Sequence, residues 1–388
     1  MLKIVIAPDS FKECLTAFEV ASAIESGFKQ VFPDASYVKV PMADGGEGTV
    51  QAMVDATNGR IVKVCVKAPL GDEIVACYGI LGDGKTAVVE MSAASGLHLV
   101  AAELRDPKVT CSYGTGQLIN HALEQDIEHI IIGLGGSATN DGGAGMLTAL
   151  GARLLDQQGQ QLAPGGGHLT DLRSIDLSQL NPKIEHTRFD VACDVQNPLC
   201  GEQGASVVFA AQKGATSCDI KVLDKGLLHL GKQLERLCHQ AIVDKPGVGA
   251  AGGMGASLLA ILNAKLSSGV DIVMAALDLA SNTADANLVI TGEGRMDKQT
   301  LFGKTPIGVA RIAKQTQCPV IAIVGSVEAG YEVVFEHGID AVFPILSAPS
   351  SLKTALNRGY SNIERTAVNI AKTISLASNG KALKLKDN

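Results

Sequence analysis

Residues 130–147 read IIIGLGGSATNDGGAGML and gather the groups that receive a phosphate. The β-branched start has the composition of a buried strand, and Gly142-Gly143 open a helix of small residues. Between them, Gly135, Gly136, Ser137 and Thr139 present bare backbone N–H groups and hydroxyls at a strand-to-helix turn. Such a turn suits an anion, because those donors have no partner within the helix. Asp141 repels phosphate unless a cation lies between them, which makes it a candidate Mg²⁺ ligand. The plainer alternative is a tight turn whose glycines serve packing alone.

Three more strand ends carry similar chemistry. The apolar run 2–7 leads to Pro8-Asp9-Ser10-Phe11-Lys12. The run 37–41 leads to Asp44, Glu47 and Thr49. The run 286–290 leads to Thr291-Gly292-Glu293-Gly294-Arg295-Met296-Asp297, with Lys298 and Gly303-Lys304-Thr305-Pro306 beyond. Open α/β sheets place ligands outside the carboxyl ends of their strands, so these segments are expected to face one another. A further strand, 189–192, ends at Cys193-Asp194, where Asp194 and Asn197 either hold a metal or hydroxyl or form the turn before Pro198.

Two glycine-rich matches point elsewhere. Residues 79–86, GILGDGKT, fit the P-loop pattern, but the following TAVVE reads as the next strand of a hairpin, whereas a P-loop continues into a helix. Gly247, Gly249 and Gly252 fit the dinucleotide fingerprint without the strand that must precede it. Gly252 and Gly253 nevertheless remain candidates for a backbone approach to a nucleotide.

The elements that position these residues follow from periodicity. Thr16 and Glu19 form a capping box at the start of a helix reaching about residue 32. Stretches 60–68, 73–81 and 87–91 alternate or run apolar around Gly-Asp turns, an antiparallel meander. A helix is expected near 116–124, a loop at 157–178, a long amphipathic helix at 218–241, buried strands at 319–324 and 341–345, and a last helix at 362–377. Strands of one texture at both ends imply an α/β domain, 1–60 with 266–388, interrupted by a second α/β domain, 61–265, with a mixed sheet. The active site is expected in the cleft between them.

Composition bounds the function. The chain has 388 residues, 46% hydrophobic content, 43 glycines, 4% aromatics, no Trp and a net charge of −7. An acidic, aromatic-poor surface argues against a nucleic-acid partner. Nine cysteines without a C-x-x-C pair suggest reduced thiols in a cytoplasm. No apolar run reaches the 18 or so residues of a membrane span.

The motifs APDSFK, MADGGEGT, GLGGSATNDGGAGM, CDVQNPLCGEQGAS, PGVGAAGGMG and TGEGRMDKQTLFGKTP together resemble the glycerate kinase family, in order and over essentially the whole chain. The resemblance implies a flavodoxin-like parallel-sheet domain interrupted by a second α/β domain. It also implies ATP-dependent phosphorylation of D-glycerate, to 2-phosphoglycerate in the bacterial branch. It brings no residue-by-residue mechanism, so roles rest on residue type. Arg295 is a candidate clamp for the glycerate carboxylate, with Asp9, Ser10 and Asn197 beside the substrate. Lys12, Lys298 and Lys304 are candidates for phosphate, Lys12 as a catalytic cation. Asp194 or Asp297 accepts the hydroxyl proton, and Asp44, Asp141 or Glu293 holds Mg²⁺. Gly135, Gly136, Ser137, Thr139, Gly252 and Gly253 line the nucleotide phosphates. A monomer or homodimer is expected. The competing classes are an NAD-linked oxidoreductase of a small hydroxy acid and a non-catalytic sugar-acid sensor.

Overall fold

The computed structural model describes residues 1–46, 48–301 and 304–378. Backbone contacts divide the chain into one unit made of Met1–Asp44 with the chain from Val273 onward, and another made of Gly45–Ile272. The first unit opens with β1 (Lys3–Ile6) and β2 (Ser36–Lys39). The second holds β3 (Arg60–Lys67), β4 (Glu73–Ile80), β5 (Thr86–Glu90), β6 (His129–Gly133), β7 (Arg153–Leu155), β8 (Ser174–Asp176), β9 (Arg188–Ala192) and β10 (Lys265–Ser267). The chain then returns with β11 (Leu288–Thr291), β12 (Arg295–Met296), β13 (Val320–Val324), β14 (Ser326–Val327) and β15 (Ala341–Pro344).

In the first unit, five parallel strands lie in the order β15-β13-β11-β1-β2. Counted along this unit alone, that order is 2-1-3-4-5, the flavodoxin-like arrangement, whose strand order reverses between β1 and β11 while every strand stays parallel. Ile4 lies opposite Leu288 and Ile6 opposite Ile290. Ile4, Val5, Ile6, Val289 and Ile290 are fully buried, as strands covered on both faces require. The Thr16–Glu19 capping box forms, with the Thr16 N–H donating to Glu19 at 2.8 Å, and starts the helix Ala17–Lys29. That helix packs on Gly359–Ser378 at Gly27, where a Cβ would meet the Ala367 Cβ at 2.7 Å.

In the second unit the order is β10-β9-β6-β5-β4-β3. The expected meander is present, since β3–β4 and β4–β5 are antiparallel. The pairs β5–β6, β6–β9 and β9–β10 are parallel, so the loops after these four strands emerge at one edge of a mixed sheet.

Two details differ from the sequence reading, and one helix has an irregular start. The helix Thr49–Thr57 belongs to the second unit, so the boundaries fall at 44/45 and 272/273 instead of 60/61 and 265/266. The cause is local: the Val50 N–H donates to Glu90 at the end of β5, and Val50 and Val54 fill the space above Gly79 of β4. Residues 157–178, expected as loop, include β8, which pairs with β7 as a ribbon in which Leu154 faces Ile175. Three-residue strands are too short for periodicity to register. The helix Ala250–Ile261 is interrupted at its start, where Ala251, Gly252 and Gly253 have φ of 52°, 66° and 91°. Glu47 and Gly303, both singled out in the sequence, lie outside the described residues.

Candidate functional site

Adjacent strands β1 and β11 deliver their carboxyl ends side by side at the reversal of the first sheet. The Asp9 N–H donates to the Gly292 carbonyl at 2.8 Å, which fixes the two loops against each other. Asp9 Oδ2 accepts from Thr305 Oγ1 at 2.7 Å and Oδ1 from the Ser10 N–H at 2.7 Å. Burial of the carboxylate, with the charges of Asp44 and Glu293 added, pushes its pKa up to about 6 against those two bonds. The residue as a whole is partly exposed, so its acid group sits in poorly solvated surroundings yet stays reachable.

Glu293 is 8% exposed and accepts from Thr300 Oγ1 at 2.7 Å and from Lys304 Nζ at 3.4 Å. Burial raises its pKa too, and Asp297 adds to the rise. Lys304 Nζ also stands 3.8 Å from Asp297 Oδ1, and Arg295 Nε stands 3.6 Å from Asp297 Oδ2. Arg295 Nη1 meets Glu328 at 3.1 Å. The structure therefore gathers Asp9, Asp44, Glu293, Arg295, Asp297 and Lys304, with Ser10 and Lys12 exposed on the turn after β1. Thr300, Thr305 and Glu328 were missed. Thr305 had a signal, since it stands before Pro306 at a helix start, where a hydroxyl is poised to meet a neighbouring chain end. Among the described residues, no group of three His, Cys, Asp or Glu side chains is arranged to hold a metal ion.

In the second unit the loop after β6 has two faces. Gly135 and Gly136 form its exposed tip, and Gly136, with φ of 71°, passes its carbonyl to the Leu97 N–H at 2.8 Å. Beyond the tip the chain dives, and Thr139, Asn140 and Asp141 are wholly buried. Asp141 Oδ2 accepts from the Ser112 N–H at 2.9 Å, Ser112 Oγ at 2.7 Å and the Gly145 N–H at 3.2 Å, while Oδ1 accepts from the Gly143 N–H at 3.1 Å. The expectation that Asp141 holds Mg²⁺ gives way: its oxygens organise the loop and start the next helix.

Thr139 is likewise corrected, because a hydroxyl with no solvent exposure does not line an open phosphate site. Gly252 and Gly253 sit beneath the loop, the Gly252 carbonyl accepting from the Gly142 N–H at 3.0 Å. A Cβ on Gly252 would strike the Thr139 carbonyl, and one on Gly253 would press on Leu199 and Leu227. Packing and positive φ explain both glycines without a nucleotide.

At the neighbouring strand end, Asp194 Oδ1 accepts from the Gly269 N–H at 3.0 Å and Asn197 Nδ2 donates to the Gln203 carbonyl at 2.7 Å. Asp194 thus ties the end of β9 to a residue 75 positions on, Asn197 braces the loop that follows, and β9 brings both to the same sheet edge as the glycine tip.

The sequence reading also missed Lys213. It is 2% exposed, and its Nζ donates to Ser137 Oγ at 2.7 Å and to the Thr139 carbonyl at 2.6 Å. Burial pushes its pKa down to about 7, opposed by the Asp141 charge. The signal was a single lysine in the otherwise uncharged run 203–218.

Comparison with known proteins adds an independent line. The model of the glycerate kinase family matches residues 4–375. A glycerate kinase of Haemophilus influenzae is 55% identical over 96% of this chain and 99% of its own length. The glycerate 2-kinase of Escherichia coli K12 is 54% identical over 97% of this chain and 98% of its own. A crystal structure from Salmonella typhimurium LT2, of a protein described as a glycerate kinase 2, superposes with a TM-score of 0.91 at 53% identity, covering 97% and 99% of the two chains.

Proposed function

The chain belongs to the glycerate kinase family, and on that premise we propose that it transfers the γ-phosphoryl group of ATP to the 2-hydroxyl of D-glycerate. The observation that carries the chemistry is Asp9, a reachable carboxylate at the strand reversal with a pKa near 6. Such a group is ionised at neutral pH yet basic enough to take a proton from a reacting alcohol. The alcohol oxygen forms its bond to the γ-phosphorus as the bond to the ADP oxygen breaks, and the alcohol proton passes to Asp9. Asp9 takes this role ahead of Asp297, whose oxygens already face the Gln299 N–H, Lys304 and Arg295.

Arg295 offers a planar fork for the glycerate carboxylate, exchanging Glu328 for the substrate. Lys304 stands over the carboxylate pair Glu293 and Asp297 and supplies positive charge toward the transferring group. The Gly135 and Gly136 amides and the Ser137 hydroxyl receive phosphate oxygens. Asp44 and Glu293 suit Mg²⁺, because both raise the pKa of Asp9 by repulsion that a dication relieves. When bound, Mg²⁺ would neutralise phosphate charge.

The oxidoreductase alternative lacks support, since among the described residues no strand leads into Gly247. A reducing, cytoplasmic setting is supported by nine free thiols. Among the described residues no helix is long and apolar enough to cross a membrane. The test is ADP release with D-glycerate, L-glycerate and lactate as acceptors. Turnover with D-glycerate far above the others supports the reading, and ADP release indifferent to the acceptor refutes it.

A further inference from the structure

The contact between Lys213 and Ser137 has a directional consequence. In its protonated form Lys213 carries donors and no acceptor, so its Nζ occupies a lone pair of Ser137 Oγ, and the serine's own hydrogen points elsewhere. Ser137 is 8% exposed, directly after the open Gly135–Gly136 tip. The amine's second bond, to the Thr139 carbonyl, pins the chain on the far side of Ser137. The arrangement is unfavourable for stability on its own: among the described residues, the buried cation has no carboxylate in hydrogen-bond contact, and Thr139 Oγ1 and Asn140 Oδ1 lie buried without partners. Costs of this kind persist where a loop must keep one conformation for function.

We propose that Lys213 is a positioning residue that turns the Ser137 hydroxyl into an outward hydrogen-bond donor for an anionic oxygen of the phosphoryl donor at the Gly135–Gly136 tip. The inference rests on the kinase reading and assigns this loop to ATP instead of glycerate. A bond from an ammonium-polarised hydroxyl to a charged oxygen accounts for about 10- to 100-fold in affinity.

Lys213→Met keeps the length and removes the buried charge, so the thermal midpoint is expected to hold or rise. KM for ATP rises by about 10- to 100-fold while KM for D-glycerate stays within about twofold. Ser137→Ala reproduces this split, and the double variant loses no more than either single one. A lysine that merely supports the fold would lower the midpoint and the active fraction without moving KM for ATP. Unchanged KM for ATP in Ser137→Ala overturns the proposal, and so does full additivity in the double variant. If Lys213→Met fails to fold, Ser137→Ala decides alone. Calorimetry with a non-hydrolysable ATP analogue separates the two readings. A protein that binds the analogue and phosphorylates no glycerate loses the kinase assignment, whereas equal analogue affinity in an active wild type and in Ser137→Ala loses the role of Lys213.

Discussion

Asp9 and Thr305 stand 296 positions apart in the chain and share a 2.7 Å hydrogen bond. It ties the carboxyl end of β1 to the first residue of the helix Thr305–Ala313 and holds Asp9 Oδ2 in place. Burial, with the charges of Asp44 and Glu293 added, keeps the same carboxylate from ionising in the usual acid range.

Asp9→Asn is therefore expected to cut kcat by about 10²–10⁴-fold, the range of a lost general base. It is also expected to stabilise the protein at neutral pH. The folded pKa of about 6 exceeds the ordinary 3.8. The contribution of Asp9 to stability is thus fully present below 3.8 and lost as pH rises through about 6. Thermal melts should place the variant above wild type at pH 7–8, with the gap closing toward pH 4. A midpoint below wild type at pH 8 contradicts the assignment.

Gly135→Ala probes close approach without backbone strain. Gly135 lies outside the left-handed region, and its new Cβ would come no nearer than 3.6 Å to Gly46, an ordinary contact. The melting temperature should stay within about 2 °C while kcat/KM for ATP falls about tenfold or more. Gly136 is a poorer probe, because any side chain at its φ of 71° strains the loop whatever binds there. Full activity in Gly135→Ala would remove the tip from the site.

Arg295→Lys keeps the charge and loses the fork, so KM for D-glycerate should rise more than KM for ATP. Asp297→Asn leaves Arg295 and Lys304 without the carboxylate they flank, and its loss should likewise fall on KM for D-glycerate, with kcat far less affected than in Asp9→Asn. Steady-state kinetics with each substrate varied decide both. A kcat collapse in Asp297→Asn with normal activity in Asp9→Asn reverses the two roles.

Asp141→Asn should lower stability by about 1–3 kcal/mol, since donors from Ser112, Gly143 and Gly145 lose a charged acceptor. The Mg²⁺ concentration giving half-maximal rate should not move in the active fraction. A shifted Mg²⁺ requirement with an unchanged melting curve restores the metal role.

Much of the strand framework was legible because buried parallel strands are written as unbroken apolar runs, and β1, β6 and β11 each end on chemistry. The sequence could not separate a carboxylate that faces a ligand from one that builds a loop. Asp141 and Asp9 both follow a strand, but only the fold tells that the Ser112 amide and hydroxyl bond one while Thr305 bonds the other. Lys213 was illegible for the same reason, since its partners Ser137 and Thr139 lie 76 and 74 positions away. The helix Thr49–Thr57 went to the wrong unit because its anchor, Glu90, is 40 positions further on.

The most direct test of the central assignment is the ³¹P spectrum of products formed by the purified protein with ATP, Mg²⁺ and D-glycerate. The account predicts 2-phosphoglycerate and ADP appearing in equal amounts, both formed about 10²–10⁴-fold more slowly when Asp9 is replaced by Asn. ATP left unconsumed, or 3-phosphoglycerate as the sole phosphorylated acid, would contradict it.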